Sequence, residues 1–299
     1  MDVQSRVLIF DLLVERSEFG HGGNQEIIKP FAEFGDVEVL LVTPQMQSNE
    51  IGKDAQKLGE VYLEKNDVPQ WDEDFHFWNS CEIVMNKNNA NFLRIAMPLH
   101  SNDELMGEWL NKIDVDAVIC SGSRRNVTMW ESWMEGTASL LRASVNLEIP
   151  TLGICFGHQL LCHALGSKIS RFSELSNGVW DLSLTKKGEE DELFSLRGRR
   201  ENESPVVLFT HREHVMSIPE NCTLLGFTNH NEITAIRVND EQGVPLPVWG
   251  VQFHPEAAKA RVERAFEWGH ISKEELDSFQ REHDGAGILE SFADIALGN

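Results

Sequence analysis

The stretch from Pro150 to Leu161, PTLGICFGHQLL, constrains this chain more than any other. Thr151 to Ile154 suit a short buried strand and Phe156 to Leu161 open an apolar, helix-compatible run, so Cys155 falls on a sharp strand-to-helix turn. Such an elbow has a cramped backbone. Gly153 and Gly157 supply the room, because a residue without Cβ lets strand and helix pass closely. The cysteine is then pushed outward at a helix N-terminus, whose unpaired N–H groups and dipole favour a thiolate. A small buried hydrophobe is the ordinary role of a free cysteine. A nucleophile needs a base and a carboxylate from elsewhere in the chain.

Composition narrows the setting. With 48 acidic against 26 basic residues the formal net charge is −22, which argues against a nucleic-acid backbone or an anionic membrane as the main partner. Five cysteines, an odd number without metal-ligand spacing, suggest neither a disulfide framework nor a metal site, and no cofactor is expected. Val7 to Phe10 is too brief for a signal-peptide core, and no apolar stretch approaches membrane-spanning length. These features fit a reducing, cytoplasmic setting. The 299 residues show no internal linker and are expected to form one domain, with a core over about 6–256 and a helical extension over 257–299.

Buried strands are expected at Arg6–Phe10, Val37–Val42 and Asp116–Cys120, alternating with helical patterns from Glu26 to Phe34, from Ser101 to about Lys112 and from Trp130 to Asn146. This alternation predicts an α/β fold, a doubly wound and mostly parallel sheet with helices on both faces. Asn49 to Met97, with Trp71, Phe75, Phe77 and Trp78 among acidic residues, reads as a surface excursion covering a sheet edge. Beyond Lys168 the short runs Val179–Leu184, Val206–Thr210, Cys222–Phe227, Thr234–Val238 and Pro247–Phe253 predict antiparallel additions.

Two further segments answer the cysteine's requirement. Ser121-Gly122-Ser123 follows a buried strand, at the sheet end where open α/β folds bind ligands. Val248 to Phe253 runs straight into His254-Pro255-Glu256. In an extended segment side chains two apart project together, so Glu256 can orient His254 while the imidazole activates a thiol. His158, Cys162 and His163 are placed by the helix away from or behind Cys155.

With GICFGHQ at 153–159, SGS at 121–123 and GVQFHPE at 250–256, in that order, the sequence resembles the class I glutamine amidotransferases over about Arg6 to Glu256. The resemblance implies Cys155 as nucleophile, His254 as general base and acid, and Glu256 as the residue orienting His254. It implies oxyanion donors at the Phe156 N–H and at the backbone of Gly122 or Ser123. Gln159 would contact the glutamine side, and Thr210-His211-Arg212-Glu213, where many members have S-H-G-D, would form a wall recognising the α-amino and α-carboxylate groups. Arg124 and Arg125 are either solvated or attract a carboxylate.

Departures from the family pattern, SGSR for the common S-G-G-P and Phe156 where tyrosine is frequent, bring the chain closer to the stand-alone group similar to the amidotransferase part of GMP synthase. That group includes γ-glutamyl peptidases acting on glutathione conjugates. The implied activity is hydrolysis of glutamine through a cysteine thioester, with a separate ammonia-accepting synthetase as partner. The alternatives are a γ-glutamyl hydrolase with a larger leaving amine, and a catalytically silent binding module.

Overall fold

The computed structural model describes residues 5–13, 19–46, 80–85, 87–98, 102–196 and 203–298. Its strands are β1 (Ser5–Phe10), β2 (Val37–Val42), β3 (Ser80–Met85), β4 (Asn88–Arg94), β5 (Ala117–Cys120), β6 (Thr151–Ile154), β7 (Ile169–Asp181), β8 (Ser183–Leu184), β9 (Val206–Val215), β10 (Cys222–Thr228), β11 (Asn231–Asn239) and β12 (Pro245–Val251). Ten of them form one sheet in the order β3-β4-β2-β1-β5-β6-β12-β11-β10-β8. The six strands from β4 to β12 in that order are parallel to one another, and the strands at both ends are antiparallel. β7 and β9 pair separately as an antiparallel ribbon.

The central strands are mostly apolar because both sheet faces are covered. Alternate residues of β1 go opposite ways, Val7 and Ile9 into one core and Leu8 and Phe10 into the other. The first core takes Ile27 and Ile28 from helix α1 (His21–Ile28), and the second takes Trp109 and Leu110 from α2 (Asp103–Ile113) and Leu140 and Leu141 from α3 (Ser132–Asn146). The second also takes Leu160 and Leu161 from α4 (Phe156–Ala164). Beyond the short α5 (Lys186–Glu189), α6 (Lys259–Glu267) and α7 (Lys273–Ser278) sit beside the β7–β9 ribbon, where Leu208, Val262 and Phe279 form a small separate core. The closing helix α8 (Gly285–Ala296) puts Ile288 and Phe292 against the first face. Among the described residues no helix is long and apolar enough to cross a membrane.

The expectation of a surface excursion over 49–97 needs correction where residues are described. β3 and β4 form a hairpin, and β4 pairs in parallel with β2, so this segment extends the sheet. The signal was weak because Ala90, Phe92 and Arg94 are buried while their neighbours are not, the period-2 pattern of a strand near an edge. Trp71, Phe75, Phe77 and Trp78 lie outside the described residues. A second difference is local: the helix expected from Glu26 to Phe34 runs from His21 to Ile28, so Gly22 and Gly23 lie inside it.

The elbow is packed backbone to backbone. A Cβ on Gly157 would lie 2.0 Å from the Cys120 carbonyl oxygen, and one on Gly153 2.7 Å from the Gly157 carbonyl oxygen. Gly157→Ala must therefore displace β5 from α4, at a cost of about 3 kcal/mol. Gly107→Ala, in a helix interior with its nearest obstacle at 3.9 Å, should hold or raise stability. Thermal denaturation of the two variants, expected to move in opposite directions or by clearly unequal amounts, checks this packing.

Behind the elbow, His158 is fully buried with Nε2 at 3.2 Å from the Ile233 carbonyl, which makes that nitrogen the donor. Burial pushes its pKa down to about 4, against the partial support of backbone carbonyls. In the unfolded chain the ring takes a proton near pH 6.5, whereas in the fold it stays neutral to about 4. Stability should thus be fully present above pH 6.5 and be lost as pH falls toward 4. Chemical denaturation across that interval should show this slope, and a smaller one in His158→Gln.

Candidate active site

Parallel pairing of β6 with β12 puts Ile154 opposite Val251, so the segments leaving these two strands emerge side by side. The first carries Cys155 and the second His254. The Cys155 N–H donates to the Val251 carbonyl at 2.8 Å, which pins the cysteine's backbone to the neighbouring strand. Cys155 itself has φ 51° and ψ −99°, a strained conformation for a residue with a Cβ. Surrounding packing over-determines it, and its place immediately before α4 leaves the Phe156 N–H without a partner inside the helix. The Phe156 side chain is core, tilted against Trp133 with ring centroids 5.8 Å apart.

After Val251 the chain bends, and it is a turn rather than an extended segment that joins His254 to Glu256. The Ala257 N–H donates back to the His254 carbonyl at 3.3 Å. Both side chains are buried, and His254 Nδ1 lies 2.9 Å from Glu256 Oε1. That contact assigns the proton to Nδ1 and turns Nε2 toward Cys155, where it has no hydrogen-bond partner among the described residues. Burial opposes charge on this ring, but the Cys155 sulfur and the Glu256 carboxylate together outweigh it and hold the His254 pKa well above its ordinary value. The imidazolium is thus the favoured form of His254.

The Ser121–Ser123 turn reaches the same place from β5. A Cβ on Gly122 would stand 2.8 Å from His254 Cε1, so the glycine is required by the imidazole and not by its own backbone angles. The Ser121 hydroxyl donates to the Phe10 carbonyl at 2.6 Å and locks the turn to the end of β1. Ser123 Oγ accepts from the Arg125 N–H at 3.1 Å. The loop beyond is held by Glu213, whose buried carboxylate accepts from the Val127 N–H at 2.6 Å and from the Thr128 N–H and hydroxyl. That use of Glu213 was not visible in the sequence, where it reads as part of a wall facing the ligand.

Two cavities meet at Cys155. One, of about 210 Å³, is lined by Gln159, Thr210, His211 and the exposed or half-buried arginines Arg124, Arg125, Arg171 and Arg212. A cluster of four cations is notable on a chain carrying −22. Gln159 Nε2 donates to the Glu213 carbonyl at 2.8 Å, so this amide supports the wall as well as lining it. His211 is buried, and neither ring nitrogen has a hydrogen-bond partner among the described residues. Burial first, and then the nearby His214, His254 and His158, push its pKa well down, leaving a neutral ring with unused donor and acceptor capacity.

The other cavity, of about 280 Å³, lies on the His254 and Glu256 side against α6 and α7. Cys155, Ser123, Arg124 and Thr210 border both. Among the described residues no group of three or more histidine, cysteine, aspartate or glutamate side chains could hold a metal ion. Arg171 and the α7 side of the second cavity escaped sequence reading, since nothing in their local pattern marks them. Gly122→Ala should retain the fold but move the His254 ring, lowering turnover with little change in melting temperature. In the folded protein, NMR titration of His254 should give a lower midpoint after Glu256→Gln, because the raising carboxylate charge is gone.

A sequence model of the glutamine amidotransferase class-I family matches residues 79–266. The chain is 31% identical over 177 residues to a glutamine-hydrolyzing GMP synthase subunit of Methanothermobacter thermautotrophicus, covering 59% of this chain and 84% of that protein. It is 32% identical over 152 residues to the glutamine-hydrolyzing GMP synthase of Bacillus licheniformis, where the match covers 51% of this chain and 26% of the relative. The fold also matches the crystal structure of a glutamine amidotransferase from Thermotoga maritima, with a TM-score of 0.57 at 16% identity over 99% of both chains. The chain therefore belongs to the class I glutamine amidotransferases, a family of cysteine-dependent enzymes.

Proposed function

We propose that Cys155, His254 and Glu256 hydrolyse the γ-amide of a γ-glutamyl compound, with glutamine as the simplest substrate. The observation that carries this reading is the His254 ring, fixed by Glu256 at 2.9 Å on one nitrogen and unpartnered on the nitrogen that faces Cys155. The Cys155 sulfur attacks the γ-carbonyl carbon, and the carbonyl π electrons move to oxygen. Donors at Phe156 N–H and at Gly122 or Ser123 stabilise that oxyanion, a contribution of about 100-fold to 1000-fold per donor. The intermediate collapses by breaking the C–N bond while His254 Nε2 gives its proton to the departing nitrogen. Water, deprotonated by His254, then attacks the thioester and restores the thiol.

In the same reading the γ-glutamyl head occupies the cavity bordered by Gln159 and His211, with the arginines at its mouth toward the α-carboxylate. The unpartnered, neutral His211 ring suits a ligand that both donates and accepts. With glutamine as substrate the product ammonia needs an acceptor. A separate synthetase partner is supported by the Methanothermobacter thermautotrophicus relative, whose name makes it one subunit of its enzyme.

Cys155→Ala should reduce hydrolysis of glutamine to background, and His254→Asn should lower it by about 1000-fold or more. Glu256→Gln should fall between these and the unaltered protein, since it orients and does not react. Mass spectrometry after treatment with a diazo-ketone analogue of glutamine should show one adduct, on Cys155. A folded protein that neither takes that label nor cleaves any γ-glutamyl amide would overturn the reading.

A further inference from the structure

The cavity on the His254 side is built for something larger than ammonia. Because His254 protonates the departing nitrogen, the leaving group must lie on the side of Cys155 where His254 and Glu256 stand. That side opens into about 280 Å³ of space. Ammonia is about the size of a water molecule, whose share of the liquid is roughly 30 Å³. Much of the described wall is apolar: Leu13, Phe19, Leu208, Val262, Ile271 and Phe279. Its polar members besides the catalytic ones are Ser123, Arg124 and Thr210 at the border with the first cavity, His270, and Glu275, whose Oε2 is engaged by the Ser272 N–H at 2.8 Å.

The wall is also held in place. Arg261 of α6 donates to Glu26 at 2.9 Å and to Gln25 at 3.0 Å, fixing α6 against α1. Asn177 of β7 donates to the Ser278 hydroxyl of α7 at 2.7 Å. Leu208, Val262 and Phe279 belong to a core cluster with Ile271 packed on it. Ile271, Phe279 and α7 lie beyond residue 266, where the match to the family model ends, so this part of the wall stands outside the segment that carries the sequence signature. A fixed apolar chamber beside a general acid is a specificity pocket.

We propose that this chamber receives an apolar substituent on the leaving nitrogen, so that the preferred substrates are γ-glutamyl amides of apolar amines. This rests on the thioester reading of Cys155. The head group lies in the arginine-rimmed cavity, the reacting carbonyl stands at Cys155 where the two spaces meet, and the substituent fills the chamber. Cleavage breaks the C–N bond, passes the His254 proton to nitrogen, and leaves a γ-glutamyl thioester plus a free amine. Water completes the hydrolysis, and no other reactant is needed.

The full-length protein would be assayed on γ-glutamyl anilide, γ-glutamylglycine and glutamine, reading amine or ammonia release. The expected kcat/KM for the anilide exceeds that for the other two by about ten-fold or more, the scale of discrimination that apolar contacts provide. Ile271→Trp, which narrows the chamber at a half-buried position, should lower the ratio of anilide to glutamine by a similar factor. Ile271→Ala serves as a second variant if the tryptophan does not fold, and should lower the same ratio by removing contact. Preference for glutamine, or a ratio unmoved in both variants, would overturn the chamber proposal while leaving the thioester reading intact. Failure to cleave any of the three, with no label on Cys155, would overturn both.

Discussion

The site depends on a backbone contact in which no side chain takes part. Gly157 lies so close to the Cys120 carbonyl that a Cβ there would fall 2.0 Å from the oxygen, and this seats α4 directly on the end of β5. The same seating sets Cys155 at φ 51°. An isolated elbow of this kind would relax, because positive φ is unfavourable for a residue with a Cβ. Here β5, β6 and β12 hold it from three directions, and the strain keeps the sulfur exposed to the cavities at the sheet's carboxyl end.

Once the elbow is fixed, the remaining parts follow from strand adjacency. β12 lies beside β6, so His254 arrives next to Cys155, and β5 lies on the other side, so Gly122 arrives against the His254 ring. Each contact asks for a small residue or a short turn. The electrostatics depend on this closeness too. Burial would drive the proton off His254, and it is the neighbouring Cys155 sulfur and Glu256 carboxylate that hold the ring toward its protonated form.

The space around Cys155 is divided by chemistry. Arginines gather at one cavity, while apolar residues from α6, β9 and the segments flanking α7 line much of the cavity next to His254. In the proposed reaction, this placement lets Cys155 distinguish the two ends of a substrate before any bond is made.

Much of this was legible in the order of residues. GICFGHQ announces a strand, a turn and a helix through local apolar patterning and glycine placement, and β1, β2 and β5 announce themselves as largely apolar runs. His254 and Glu256 were visible as a pair because they are two residues apart, although a turn and not an extended chain brings them together. β4 was missed because its burial alternates beside an edge, and Glu213 was misread because its partners, Val127 and Thr128, are 86 and 85 residues away. The sequence by itself determined that there would be a cysteine elbow, a small-residue turn and a histidine–glutamate pair, since each is encoded within a few consecutive residues. Only the tertiary structure decided which side of the cysteine is charged and which apolar, because those walls come from segments up to about 250 residues apart that share no local signal. They meet solely through packing on the sheet.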